Sequence, residues 1–343
     1  MEKWFVMRKG APFQEIAEKF QIHPILARLI RNRDVIGDEA IQLYLNGTIA
    51  DLYDGMLMKD MDKAVDILLE KIREDKKIRI IGDYDIDGIN STYILLEGIK
   101  YLGGEADIDI PDRMKDGYGL NRNLIDRAFD DDIDTIITCD NGIAAREEIA
   151  YGKSLGMTII VTDHHEIPYE EVESEKRYIL PPADAVIDPK QQTCAYPFKE
   201  LCGAGVAYKL IEALFGACGK DIEDVDYLME NVAIATVGDV MDLVGENRIF
   251  VKQGLEMLKR TNNLGLRALM ECTGVPVERL SAYHIGFVIG PCLNASGRLD
   301  TAKRALELLC AKTKKEADIL AGGFKKPKKN PEEMKASTGG EGG

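Results

Sequence analysis

Residues 77–88 read KIRIIGDYDIDG, and this segment indicates the fold class. A short run rich in β-branched residues predicts a strand that ends at Gly82. Apolar residues then recur at helical spacing between positions 89 and 99, which predicts a helix. The segment therefore predicts a strand, an acidic loop and a helix in direct succession. The acidic residues of the loop are Asp83, Asp85 and Asp87.

Apolar runs followed by polar side chains recur further along the chain. Residues 135–138 precede Asp140, residues 157–162 precede Asp163-His164-His165, and residues 185–187 precede Asp188. Residues 106–110 predict one more strand, and helical patterns separate these runs. Strands that alternate with helices predict an α/β fold with a parallel sheet and helices on both faces. Ligands bind beyond the carboxyl ends of such strands, which is where these polar residues lie.

Three parts of the chain differ in character. Residues 1–50 predict a helical N-terminal extension for packing or docking, and we find no catalytic or ligand-binding motif in them. Residues 51–320 predict the main domain, with an α/β core at about 76–245 and a helical part after it. Residues 321–343 have little apolar content and many Lys, Pro, Glu and Gly residues, which predicts a disordered tail.

Composition and charge argue against several classes of protein. Of the 343 residues, 45% are hydrophobic and 30% charged, as in ordinary globular proteins. No apolar run approaches the ~20 residues that span a bilayer, and the N-terminus lacks the apolar segment of a signal peptide. We therefore expect a cytoplasmic protein whose seven cysteines are reduced thiols. The net charge of −15 argues against coating nucleic acid by bulk electrostatics, but bound cations could still attract phosphates.

The polar residues at the predicted strand ends are candidate metal ligands, and one further acid lies on an apolar helical stripe. Carboxylates this close together repel one another unless a cation joins them. Taken singly, each group also has an ordinary explanation, such as a solvated turn, an incidental histidine pair or a helix cap. The candidates are Asp83, Asp85, Asp87, Asp140, Asp163, His164, His165 and Asp239.

Together these residues favour a site for two divalent ions. Hard oxygen donors with one or two imidazoles suit Mn²⁺ or Mg²⁺, and no soft thiolate is required. Two ions about 3.5–4 Å apart are a common device for hydrolysing phosphate esters. Downstream, residues 290–298, GPCLNASGR, contain Asn, Ser and Arg side chains that suit a phosphate clamp, although a structural loop is equally compatible.

These motifs make the sequence resemble the DHH phosphoesterases and, among them, the RecJ-type exonucleases specific for single-stranded DNA. The resemblance covers roughly residues 50–305, in the family's order, and includes the lead-in at residues 52–65. The motifs that carry it are GDYDIDG (82–88), TCDNG (138–142), VTDHHE (161–166), TVGDVMDL (236–243) and GPCLNASGRLDTA (290–302).

The resemblance implies a two-metal active site that hydrolyses single-stranded DNA from the 5′ end to 5′-mononucleotides, in DNA repair and recombination. It implies Mn²⁺ or Mg²⁺ as cofactor, single-stranded DNA as substrate, and a single-strand-binding protein or a helicase as candidate partner. Asp140, His164 and His165 would be the catalytic residues. The matching ligand positions are Asp83, Asp85, Asp87, Asp140 (as the bridge), His164 and Asp239. The residues implied to contact substrate phosphates are His165, Asn294, Ser296 and Arg298.

Two alternatives remain open at this point. RecJ-type proteins continue into a second DHH-associated domain and an OB-type domain, whose motifs we do not find, so we expect a catalytic part alone. Such a part would also suit short oligonucleotides or cyclic dinucleotides. A scaffold without catalysis is the other alternative, although it has no need for so many clustered carboxylates.

Overall fold

The computed structural model describes residues 9–111, 119–173, 175–294 and 301–324 of the chain. The strands are β1 (Ile78–Gly82), β2 (Ala106–Asp109), β3 (Thr135–Cys139), β4 (Thr158–Thr162), β5 (Tyr169–Val172), β6 (Glu175–Tyr178) and β7 (Ala185–Ile187). The helices are α1 (Phe13–Phe20), α2 (Pro24–Asn32), α3 (Asp38–Asn46), α4 (Met61–Arg73), α5 (Ile86–Tyr101), α6 (Arg122–Asp130), α7 (Arg146–Ser154), α8 (Gly203–Ala217), α9 (Met229–Gly238), α10 (Gly245–Leu258), α11 (Leu264–Thr273), α12 (Ala282–His284), α13 (Gly290–Leu293), α14 (Thr301–Leu309) and α15 (Lys314–Gly322).

A five-stranded parallel sheet forms the centre of the molecule, in the order β2-β1-β3-β4-β7. Strands β1 and β3 are buried along their whole length, as expected for apolar runs covered on both faces. The predicted α/β fold class is confirmed. The sequence analysis did not anticipate β5 and β6, which form a separate antiparallel hairpin between β4 and β7.

The register of the sheet aligns the carboxyl ends of four strands. Gly82 pairs with Cys139, Cys139 with Thr162, and Thr162 with Ile187. Each of these residues is the last of its strand. The side chains that follow them therefore emerge at one edge of the sheet.

Helices cover the two faces of the sheet and form two apolar cores. Successive side chains of a strand point to opposite faces, so Ile80 and Ile81 of β1 belong to different cores. One core joins the strands to α4, α5, α8 and α9, and the other joins them to α6 and α7. This double cover fixes the strand ends from both sides.

The chain on either side of the α/β core is helical. Helices α1–α3 enclose a small core of their own, whose buried members are Ile30, Val35 and Ile41. Helices α10, α11, α14 and α15 extend the larger core beyond the sheet. The domain boundaries at residues 50 and 320 remain predictions, and most of the predicted disordered tail, residues 325–343, lies outside the described residues. No helix of the described part is long and apolar enough to cross a membrane.

A buried lysine ties the segment before α4 to α8 and α10. Lys209 of α8 is fully buried, and its ammonium donates to the carbonyl of Tyr53. The ammonium also lies 3.1 Å from a carboxylate oxygen of Glu212 and 3.7 Å from one of Glu246. Burial raises the pKa of Glu246 although the charge of Lys209 lowers it, so each of the two charges depends on the other.

We expect Lys209→Met to lower the free energy of unfolding by about 3 kcal/mol. The substitution leaves the buried carboxylate of Glu246, which is 1% exposed, without its counter-charge. Urea denaturation at neutral pH, followed by circular dichroism, measures the loss. Adding Glu246→Gln to the same chain should recover part of it, because the uncompensated charge is then removed.

Lys259→Met is the matched control, because it removes a surface ion pair with Glu256. We expect it to cost at most about 1 kcal/mol. Equal losses for the two lysine variants would contradict the importance of the buried pair.

Candidate metal centre

Four aspartates line the carboxyl edge of the sheet, each directly after a strand. They are Asp83 after β1, Asp140 after β3, Asp163 after β4 and Asp188 after β7. None of them is more than 2% exposed. The aligned register thus produces a buried row of carboxylates. We call these four residues the aspartate row.

The loop between β1 and α5 adds two carboxylates next to this row. Asp85 caps α5, since its side chain accepts from the backbone amides of Asp87 and Gly88 at 2.9 and 3.0 Å. Asp87 lies in the first turn of α5 and is fully buried. Its two carboxylate oxygens accept from the first two amides of α8, those of Gly203 and Ala204, each at 2.7 Å. The N-terminus of α8 therefore holds Asp87 in place, with amides and helix dipole both favouring its charge.

Asp140 adopts a left-handed backbone conformation, with φ +59°, which aspartate tolerates better than most residues. Its carboxylate oxygen Oδ1 lies 3.0 Å from Nε2 of His164. Gly203 approaches so closely that a Cβ there would lie 2.7 Å from the Cβ of Asp140. Burial, and then Asp87 and other nearby carboxylates, raise the pKa of Asp140 well above its ordinary value.

The imidazole of His164 points into the middle of the acids. Its Nε2 lies 3.0 Å from Asp140, 3.5 Å from Asp87 and 3.9 Å from Asp239. Burial lowers the pKa of His164, which favours the neutral form that binds metals. Asp239 reaches this group from the C-terminal end of α9, a part of the chain far from the strands that carry the other acids.

His165 points in a different direction and is held by Asp163. Its Nδ1 lies 2.8 Å from Oδ1 of Asp163, and its side chain is 46% exposed. This hydrogen bond raises the pKa of His165. Burial alone would raise the pKa of Asp163, but His165 and the backbone amide of Ile143 hold it below its ordinary value. Its protein partners therefore favour the ionised form of Asp163, whereas burial and neighbouring acids disfavour the ionised form of Asp140.

The donor atoms fall into three groups, and within each group they lie within 4.8 Å of one another. The groups are Asp83 with Asp85 and Asp140; Asp87 with His164 and Asp239; and Asp140 with His164 and His165. The structure thus brings together all six ligand positions that the resemblance implies, whereas the candidate Asp163 belongs to none of the groups. Whether these residues ligate metal stays a prediction.

The donor set fits divalent cations. Within the described ranges, no ion pair joins a lysine or arginine to any of these acids. Burial and the nearby Asp85 raise the pKa of Asp83 to about 7, and burial and Asp87 raise that of Asp239 to about 7. Oδ1 of Asp83 and Nδ1 of His164 are buried without a hydrogen-bond partner. Buried acids in this state lack a counter-charge that a divalent ion would supply.

Sequence reasoning passed over two features of this edge. Asp188 ends a strand like the predicted ligands, and burial raises its pKa to about 7, yet we did not count it among the site residues. Its position after an apolar run was a usable signal. The contribution of the Gly203 and Ala204 amides had no comparable signal, because their partner Asp87 is more than 100 residues away in sequence.

The predicted phosphate-binding residues are only partly described. Asn294 is exposed and follows α13 directly. Its backbone amide donates to the carbonyl of Gly290 at 2.7 Å. Ser296 and Arg298 lie outside the described residues, so their predicted role has no structural account.

Comparison with known proteins identifies similar chains. The model of the DHH family, N-terminal domain, matches residues 77–236. The single-stranded-DNA-specific exonuclease RecJ of Bacillus subtilis (strain 168) is 39% identical over 337 residues, which cover 97% of this chain. The chain spans 40% of the length of that relative.

Two solved structures are also similar. RecJ from Thermus thermophilus in complex with Mn²⁺ has 30% identity and a TM-score of 0.74, covering 91% of this chain and 43% of that one. A crystal structure of exonuclease RecJ bound to manganese has 33% identity and a TM-score of 0.68, covering 78% and 65%.

We expect Gly203→Ala to weaken Mn²⁺ binding by about 10–100-fold, in the range for residues that orient ligands. The new methyl group would meet Asp140 and displace either that carboxylate or the start of α8, which holds Asp87. Isothermal titration calorimetry measures the affinity. Gly216→Ala on the same helix is the control, because nothing lies within 4 Å of its added Cβ. Equal affinities of the two variants would contradict this role of Gly203.

We expect Mn²⁺ to raise the melting temperature more at about pH 8 than at about pH 6. The pKa values near 7 of Asp83 and Asp239 lie above their ordinary value of 3.8. In the metal-free protein, these groups therefore contribute stability that is present below about pH 4 and lost as the pH rises through about 7. Metal binding must displace the protons that remain at lower pH.

Calorimetric melting with and without Mn²⁺ at the two pH values checks this expectation. Asp83→Asn is the matched variant, because it removes one titrating carboxyl group and should reduce the difference between the two pH values. A rise in melting temperature that does not depend on pH would be evidence against the metal-free pKa values.

Proposed function

We propose that this chain, whose residues 77–236 belong to the DHH family as the sequence motifs indicated, is a metal-dependent phosphodiesterase that hydrolyses single-stranded DNA. The proposed reaction proceeds from the 5′ end and releases 5′-mononucleotides. The buried cluster of acids around His164 is the observation that carries this proposal. The similarity to a single-stranded-DNA-specific exonuclease over 97% of the chain supports it.

The chain spans 40% of the length of that relative, so the activity of the longer protein belongs to the proposal. The setting in DNA repair and recombination belongs to it as well, as do a cytoplasmic location and a single-strand-binding protein or helicase as partner. The setting and the partner rest on the resemblance alone, and the location also rests on the composition of the sequence.

We assign two ions to the cluster, Mn²⁺ or Mg²⁺, as the hard oxygen donors favour. Asp83, Asp85 and Asp140 would hold one ion, and Asp87, His164 and Asp239 would hold the other. Asp140 suits the bridging position, since its carboxylate belongs to the first group and lies 3.0 Å from His164 in the second. The manganese named for the similar RecJ structures agrees with this assignment.

Bound ions of this kind supply an activated water and neutralise charge on a phosphate. The chain's own groups orient the substrate. His165 is partly exposed beside the cluster, and Asp163 fixes its Nδ1, so the protein orients this ring next to the place where a phosphate would bind. The raised pKa of His165 favours the protonated form, which attracts an anion. In this proposal, Asn294, Ser296 and Arg298 hold neighbouring phosphates.

We expect Asp140→Ala to lower kcat by roughly 10²–10³-fold or more, because both ions would lose a ligand and the charge that they neutralise would be less stabilised. The assay follows Mn²⁺-dependent hydrolysis of single strands labelled at either the 5′ or the 3′ end. Early release of the 5′ label as a mononucleotide is the expected pattern. Asp126→Ala, which removes a carboxylate of α6, is the control and should keep full activity.

Three outcomes would contradict the proposal in different ways. Near-normal hydrolysis by Asp140→Ala would remove the bridging assignment. Hydrolysis of a dinucleotide or cyclic dinucleotide without hydrolysis of long strands would favour a small-substrate phosphodiesterase. Failure to bind Mn²⁺ at all would favour a scaffold without catalysis.

A further inference from the structure

Three exposed apolar side chains lie on segments that adjoin the metal centre and have no part in the function proposed above. They are Val240, Tyr283 and Phe287, and we call them the apolar triplet. Val240 is 87% exposed, Phe287 71% and Tyr283 64%. Val240 and Phe287 are the most exposed of the large hydrophobic residues in the described part of the chain. Large apolar side chains left in water at a site frequently mark a binding surface.

Val240 is held in an unfavourable backbone conformation immediately after the proposed ligand Asp239. Its φ of +60° is left-handed, which a β-branched residue rarely adopts. The amides of Val240 and Met241 donate to the carbonyls of Val237 and Thr236, a helix ending in which glycine normally takes the position of Val240. Glycine would relieve the strain, so an exposed valine here has no benefit for the fold itself.

Tyr283 and Phe287 form an aromatic pair on the helix that packs against the same end of α9. This helix runs through residues 282–293 and includes α12 and α13. Their ring centroids lie 4.9 Å apart, with 29° between the ring planes. The other side of the helix is buried through Ile285 and Ile289. The two rings therefore face outward as a small stacked surface.

Two glycines place this helix next to the ligand-bearing segments. A Cβ on Gly286 would lie 3.6 Å from Val237 of α9, two residues before Asp239. A Cβ on Gly290 would lie 3.3 Å from Ile86, the residue between Asp85 and Asp87. The helix thus contacts both segments that carry proposed ligands, and Val240 directly follows one of those ligands.

We infer that the apolar triplet binds the nucleobases of a single strand whose terminal phosphate occupies the metal centre. This inference rests on the proposed function and names a second part of the substrate site. Unpaired bases expose flat apolar faces, which stack on aromatic side chains. A paired duplex offers no such faces, so the triplet also favours single strands over double strands.

The net negative charge of the chain favours contacts to a nucleic-acid strand that do not depend on charge. The net charge of −15 opposes a polyanion, and cations bound at the metal centre would counter it only locally. Stacking does not require a positive protein surface. The triplet can therefore hold a strand where the electrostatics of the rest of the surface do not.

The test compares a long oligothymidylate with a dinucleotide as substrates for Phe287→Ala, Tyr283→Ala and Val240→Gly. We expect Phe287→Ala to lower the kcat/KM for the long strand, relative to that for the dinucleotide, by about tenfold, which is typical of losing one stacked base. Most of the change should lie in KM. Phe129→Ala removes an exposed aromatic residue at the C-terminal end of α6, next to the amino edge of the sheet, and is the control.

Val240→Gly separates binding from folding. We expect this variant to melt at a higher temperature than the unsubstituted chain, because glycine relieves the left-handed strain. We expect the same variant to lose preference for the long strand. A valine that only supports the fold would not produce these opposite changes.

The inference is overturned if the three variants keep the substrate preference of Phe129→Ala while the unsubstituted chain hydrolyses long strands; the proposed function then stands alone. It is also overturned if Phe287→Ala changes the oligomeric mass in light scattering and leaves KM unaltered, since a protein partner would then cover the triplet.

A binding measurement decides the inference even if no strand is hydrolysed and the proposed function fails. The chain has a single tryptophan, Trp4, so Phe287→Trp introduces one new fluorescence signal. Saturable quenching of this signal by oligothymidylate, and much weaker quenching by a dinucleotide, would support the inference. No quenching at any strand concentration would overturn it.

Discussion

The electrostatic repulsion within a buried row of carboxylates is the constraint on which this structure depends. Four aspartates end adjacent strands, and two more acids join them from the loop after β1. Burial raises the pKa of Asp83, Asp188 and Asp239 to about 7, so that near neutral pH a large share of each group is protonated in the metal-free protein. Carboxylates in this state bind divalent ions at the expense of protons, which couples metal loading to pH.

The protein itself neutralises only some of these acids, and the difference lies in their hydrogen bonds. Asp163 and Asp140 end neighbouring strands and are equally buried, yet their pKa values shift in opposite directions. Asp163 accepts from three backbone amides and from His165. Asp140 has His164 as its partner and several carboxylates as neighbours. The fold therefore supplies hydrogen bonds to the charged form of Asp163, which orients His165. It supplies no comparable set to Asp140, whose negative charge a bound cation would stabilise.

Sequence reasoning predicted what local pattern determines and missed what long-range packing determines. The apolar runs and the residues after them identified the strands β1, β3, β4 and β7, and parallel strands necessarily bring their carboxyl ends to one edge. The start of α8 at Gly203 gives no such local signal, although its amides hold Asp87. The hairpin of β5 and β6 was missed because its residues are exposed on both faces, so no apolar alternation marks it.

The same limit explains why the apolar triplet emerges only from the structure. In the sequence, Val240 lies in the motif TVGDVMDL, which we interpreted through Asp239, and Tyr283 and Phe287 carried no prediction. The exposure of the three side chains and the left-handed φ of Val240 are properties that only the folded chain reveals. The proposed function requires an acidic protein to bind a polyanion, and therefore attraction from ions at one point and charge-independent contacts elsewhere. In the proposal, the metal centre supplies the first and the apolar triplet supplies the second, and the two adjoin at Asp239 and Val240.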